Sequence, residues 1–168
     1  MNKKLIAAIA ISFILVLLLI PIYFLYTNFQ DDPKGNGSFT YIKMSRTACY
    51  GTCPAYSVEI ESNGDVKYIG EMFVGVKGER TFELTESQVQ ELNDAIKEAD
   101  FFSLKDRYYE SVTDLPSTTT LIRTTDEEKS IYNYVGAPNK LNVLEDKIDE
   151  ITGVDSLIEC DEQCAQEA

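Results

Sequence analysis

The chain contains no histidine. That absence removes the usual Ser-His-Asp and Cys-His arrangements, the His-containing zinc sites and the commonest general base near neutral pH. Cys, Asp, Tyr or Lys could still do chemistry, but no recognisable catalytic constellation stands out. No catalytic residue and no cofactor is assigned, and a non-enzymatic role is expected. Basic residues are the second shortage: 15 Lys and Arg face 28 Asp and Glu, for a formal charge of −13. The imbalance is uneven, because every acidic residue follows position 30 whereas Lys3 and Lys4 precede it. Such a surface repels phosphate backbones, so no nucleic-acid partner is expected. A protein or cationic partner fits the charge, but simple solubility beside a membrane is the plainer explanation. Long-period internal repeats are also lacking.

What the chain does have is one long uncharged run, LIAAIAISFILVLLLIPIYFLY, at residues 5–26. At ~1.5 Å per residue a helix of this length spans a hydrocarbon core of about 30 Å. Pro21 falls late in the run, where a kink leaves the span intact. A cleaved signal peptide is the rival reading, but its apolar region would be roughly 7–15 residues long with small residues at its end. Here the residues that follow are bulky, and no cysteine near them offers a lipidation site. Lys3 and Lys4 before the run, against Asp31 and Asp32 after it, keep the N-terminus in the cytoplasm. The expected layout is a cytoplasmic 1–4, a transmembrane anchor at 5–26 that makes the membrane a partner, and a tether at 27–38. An extracytoplasmic domain at 39–158 and an acidic, Cys-containing tail at 159–168 complete a single-pass membrane protein.

Beyond the tether the apolar spacing alternates between two periods. Residues 39–44 (FTYIKM) and 56–61 (YSVEIE) alternate as strands. Asn63-Gly64 then predicts a type I′ hairpin, which needs positive φ at both positions. Residues 66–69 return antiparallel, and 72–76 with 80–84 supply at least one more strand. Thr85 opens a capping box with Gln88, starting a helix over 86 to about 99 whose apolar stripe is Val89, Leu92, Ile96 and Phe101. Residues 105–119 read as a polar loop, and 120–124 with 130–134 as a second hairpin around an acidic turn. A second helix over 139–151 buries Leu141, Leu144, Ile148 and Ile151 and stops at Gly153. Asp155 is placed as the cap of a last short helix carrying Cys160 and Cys164. This order predicts an α+β fold: an antiparallel sheet of hairpins, with two main helices packed on one face.

The candidate site centres on residues 46–56, RTACYGTCPAY. An exported protein with four cysteines reads first as disulfide-bonded, here in two C-x-x-x-C pairs, Cys49/Cys53 and Cys160/Cys164. Gly51 would allow a sharp turn joining Cys49 to Cys53. A redox-active pair is the alternative, although such motifs favour C-x-x-C at a helix start, whereas Pro54 leads into a strand. For Cys160 and Cys164, helical spacing puts both sulfurs on one face. A local disulfide, cross-links back to Cys49 and Cys53, and a four-thiolate metal site all remain open, and no metal is assigned. Asp114, with Tyr108, Tyr109 and residues 118–120, could form a polar cluster in a long loop, or Asp114 could simply bond the backbone near its Leu-Pro turn.

The segments RTACYGTCPAYSVEI, NGDVKYIG, VGVKGER, ADFFSLKDRY, VTDLPSTTT and YVGAPNKLNVLEDKID together resemble the uncharacterised family known as domain of unknown function 6438. The resemblance covers about residues 40–157 and is carried most specifically by the Cys-x-Gly-x-Cys-Pro-x-Tyr core. Its motif positions here are Cys49, Gly51, Cys53, Pro54, Tyr56, Gly64, Asp114 and Pro116. The family implies no activity. Cys160 and Cys164 lie beyond the shared region, which implies a self-contained Cys49–Cys53 unit. The expected function is a membrane-anchored binding or interaction domain with a disulfide-stapled turn. The alternative is a thiol-disulfide or Cys-thiolate metal protein.

Overall fold

The computed structural model describes Ile20 and residues 37–160. Nearly all of the expected anchor and tether, and Cys164 with most of the tail, lie outside the described residues. Among the described residues, no helix is long and apolar enough to cross a membrane.

Seven strands form one sheet in the order β4-β3-β2-β1-β6-β7-β5. They are β1 (Phe39–Arg46), β2 (Ala55–Glu61), β3 (Asp65–Met72), β4 (Gly78–Glu83), β5 (Arg107–Tyr108), β6 (Thr118–Thr124) and β7 (Glu128–Asn133). The helices are α1 (Glu86–Glu98), α2 (Asn139–Thr152) and the short α3 (Asp155–Ile158), with a 3-10 turn at Phe101–Ser103. The fold is α+β, as the alternation of periods predicts. The sheet is mixed rather than purely antiparallel, because β5 runs parallel to β7. A strand of two residues is too short to leave a period in sequence, so it lies hidden inside the expected polar loop. Backbone bonds hold it: Tyr132 N donates to Asp106 O (2.9 Å) and Tyr134 N to Tyr108 O (3.0 Å).

Period-two side-chain placement turns the strand register into rows across the inner face. One row reads Phe82, Val66, Ile60, Ile42, Ile122 and the next Tyr68, Val58, Met44, Thr120, Ile131. Their apolar members are buried, apart from the partly covered Phe82, and join Leu92, Ile96, Leu141, Leu144 and Ile148 of the helices in one core. Each fully buried aliphatic side chain of this kind contributes about 1.5–3 kcal/mol. The third row is different in kind. It reads Tyr56, Arg46, Thr118, Asn133, and is polar across four strands.

The helices form where expected, for local reasons. Thr85 and Gln88 make the reciprocal capping box, with Gln88 N donating to Thr85 Oγ1 (3.3 Å) and Thr85 N to Gln88 Oε1 (3.0 Å). Gln88 Nε2 also reaches Ile151 O (2.8 Å), tying α1 to α2. Gly153 ends α2 in the left-handed region. Two local expectations need correction. The β2–β3 turn is a three-residue loop in which Gly64 alone has positive φ (+97°), with Gly64 N bonded to Glu61 O. This is a type I turn followed by a left-handed glycine rather than type I′, and it needs one unusual φ instead of two. Asp155 lies inside the first turn of α3 and Val154 precedes it, without a side-chain cap. Cys160 falls past the end of that helix.

Candidate functional site

The polar row ends where three connections meet: residues 47–54 between β1 and β2, residues 109–117 before β6, and residues 134–138 after β7. In the first, Cys49 and Cys53 form a disulfide, with Cα atoms 5.5 Å apart. Gly51 N donates back to Cys49 O (2.9 Å), tightening the turn. Gly51 has no positive φ, and a methyl there would lie 3.6 Å from Cys49 Sγ, an ordinary contact. The sharp turn forms as expected, but it does not require glycine at 51.

The Cys turn and the 109–117 loop are bonded together. Thr47 N donates to Ser117 O (3.0 Å), Ser117 N to Thr47 Oγ1 (2.9 Å), and Tyr50 N to Asp114 O (3.3 Å). Asp114 offers its carbonyl in this way because its backbone is left-handed (φ +72°), a conformation that Asp tolerates better than most residues. Its carboxylate is occupied locally by the Thr113 hydroxyl (2.9 Å). Tyr134, just after β7, supports the same loop, donating its hydroxyl to Val112 O (3.0 Å) and accepting from Leu115 N (3.4 Å). Tyr109 stacks on Tyr134 at 5.5 Å, and the Arg107 guanidinium sits over Tyr109 and Tyr132 at 5.0 and 4.7 Å. Tyr108 points elsewhere, its hydroxyl accepting from Lys105 N. Tyr50 projects 90% exposed from the turn, and Tyr109, Val112 and Leu115 are exposed beside it. Pro116 is exposed as well, and Pro54 is half-buried.

The polar cluster envisaged around Asp114 does not assemble. Thr118 and Thr120 turn inward, where the Thr118 hydroxyl accepts from Arg46 Nη1 (3.1 Å) and the Thr120 hydroxyl donates to Glu145 Oε1 (3.0 Å). Asp114 stays on the surface and joins the Cys turn instead. The remaining pair is also resolved in part. Cys160 is disulfide-bonded, and Cys49 and Cys53 hold each other, so cross-links from the tail back to the turn are ruled out.

Residues 40–152 match the family described as Domain of unknown function (DUF6438). The chain belongs to that family. No curated protein matches it. The DUF6438 span includes the Cys turn, the 109–117 loop and the polar row, and it ends before Cys160.

Beneath the DUF6438 loops lies a buried charge network that sequence reasoning missed. Arg46 Nε and Nη2 both bond Asp149 Oδ2 (2.9 and 2.7 Å), and Nη2 reaches the exposed Asp146 at 3.4 Å. Glu145 is buried, its Oε2 accepting from Asn133 Nδ2 (2.7 Å). Burial penalises the Glu145 charge and pushes its pKa up to about 6, although Asn133, Thr120 and Arg46 act the other way. Burial likewise raises Asp149, against the pull of Arg46 and the Tyr56 hydroxyl beside it. Burial also raises Tyr56, with Asp149 adding to it, so the phenol stays protonated. Arg46 loses by burial, but Asp149, Tyr56 and Glu145 more than restore its charge. Asp149 Oδ1 is buried and makes no hydrogen bond of good geometry. The signal for this network was present: Glu145 and Asp149 are four residues apart, each adjacent to an inward-facing Leu144 or Ile148. That places both carboxylates at the margin of the apolar stripe of α2.

Proposed function

We propose that this protein is a membrane-tethered, extracytoplasmic recognition domain whose binding end is the Cys turn with the 109–117 loop. The observation that carries this reading is the presentation of Tyr50. A side chain 90% exposed sits on a turn closed by a disulfide and bonded to a second loop that exposes Tyr109, Val112 and Leu115. Ordering such a turn in advance lowers the entropic cost of binding, and exposed aromatic residues are the commonest anchors of protein interfaces. The uncharged run at 5–26 and the flanking Lys3, Lys4, Asp31 and Asp32 support the anchor and its orientation. β1 leaves the tether at Phe39 and delivers the Cys turn at its far end, about 23 Å along the strand.

A photo-crosslinking amino acid at Tyr50, in the full chain expressed in its own membrane, tests this. We expect a discrete adduct at position 50 that disappears in C49S/C53S and is absent when the same probe replaces Asp94 on the exposed side of α1. Equal labelling from both positions would defeat the reading. Protection of the domain from a membrane-impermeant reagent added outside would defeat the orientation.

A thiol-disulfide role is the second reading, favoured by one observation: Cys49 and Cys53 are only half-buried, so a reductant can reach them. Facile opening of the disulfide by a mild thiol reductant, measured by intact mass, would support it. The thiolate-metal reading needs the same opening first.

A further inference from the structure

We propose that the free edge of β4 is a docking strand for an extended, lysine- or arginine-rich segment of another protein. β4 terminates the sheet, and its residues are exposed apart from the half-buried Phe82. Leu84 N donates to Gly64 O (2.8 Å), so even-numbered backbone groups at this end face β3. By strand alternation, the N–H and C=O groups of Glu79, Thr81 and Glu83 point away from β3, where no other strand of the described residues meets them. The Glu79 carbonyl accepts from Arg80 Nη1 (2.7 Å), a contact that an added strand would replace. An edge of this kind takes an added strand through main-chain hydrogen bonds, and side-chain complementarity then selects the strand.

The charge around the edge specifies that selection. On the outer face, Asp65 lies directly opposite Glu83 across β3–β4, an unfavourable like-charge pair. Glu61 extends this acidic row on β2, where Tyr41 of β1 is its neighbour. Two nearby lysines are already used, Lys43 bonding Glu59 at 2.8 Å and Lys67 bonding Glu79 at 3.3 Å, and Arg80 of β4 donates to the Glu79 carbonyl. A depression of about 470 Å³ opens beside the edge, lined by Glu59, Glu61, Asp65, Lys67, Thr81 and Glu83. A cationic side chain on an added strand would enter it and relieve the Asp65–Glu83 repulsion. A second copy of this chain fits poorly. Self-pairing of β4 in the register centred on Thr81 sets Glu79 against Glu83 twice.

The test uses the full chain in detergent and a fluorescent, end-capped heptapeptide alternating lysine and valine, with an alternating glutamate–valine peptide as control. The lysine peptide is expected to bind, more weakly as salt rises, and to slow amide exchange at Thr81 and Glu83. T81P removes an outward N–H without touching the β3–β4 bonds and should weaken binding by about tenfold. E83K should weaken it at least threefold. Should T81P fold poorly, a lysine peptide N-methylated on alternate amides replaces it and should not bind. The proposal fails if the lysine peptide does not bind, if the glutamate peptide binds as well, or if T81P and the N-methylated peptide both bind unchanged. It also fails if β4 is instead protected in a concentration-dependent dimer.

Discussion

Glu145→Gln should make this protein more stable at neutral pH, because the native fold holds the Glu145 charge at a cost. The carboxyl is 2% exposed and its pKa is raised from 4.5 to about 6, chiefly by burial. Protonation therefore favours the folded state. The stabilisation is fully present below about pH 4.5 and lost as pH rises through about 6. A shift of this size corresponds to about 2 kcal/mol at pH 7. Glutamine keeps the hydrogen bonds. Its carbonyl can accept from Asn133 Nδ2, and its amide can donate to the Thr120 hydroxyl, which both donates and accepts. Urea unfolding of the wild-type chain and E145Q should give a difference near zero at pH 4, growing to about 2 kcal/mol in favour of E145Q by pH 7. Other titrating groups, Asp149 included, cancel in this comparison to the extent that they are uncoupled from Glu145. If E145Q is less stable at pH 7, or if the difference does not change with pH, the charge is being held favourably and the reasoning is wrong.

Two further outcomes follow from the packing. Arg46→Met leaves the Asp149 carboxylate buried without its ion pair and should cost about 3–5 kcal/mol in urea unfolding, whereas R46M/D149L should recover most of that loss. Gly75→Ala would drive a methyl into the Glu159 carbonyl oxygen, so it should cost on the order of 1–3 kcal/mol and speed amide exchange at Val76, which donates to Leu157 O. Gly51→Ala meets only an ordinary contact and should stay within about 0.5 kcal/mol of wild type in the same assay.

Local rules in the sequence determined a large part of this domain. The capping box at Thr85 and Gln88, the stop at Gly153 and the stripes of α1 and α2 depend on neighbours within a turn or two, so they are readable without the fold. The main strands follow from period-two alternation. Spacing left three cysteine pairings open; the family resemblance implied the Cys49–Cys53 link, and the structure shows it. Tertiary structure decided what depends on register between distant segments. β5 has no sequence period, because two backbone bonds to β7 define it. Thr118 and Thr120 looked like loop partners of Asp114, yet strand pairing turned them inward beneath α2. Arg46 closes the last row of β1 and meets Asp149, which is 103 residues away. Nothing local to either residue announces that contact. Its existence requires the sheet order that brings β1 beside β6 and lays α2 across both.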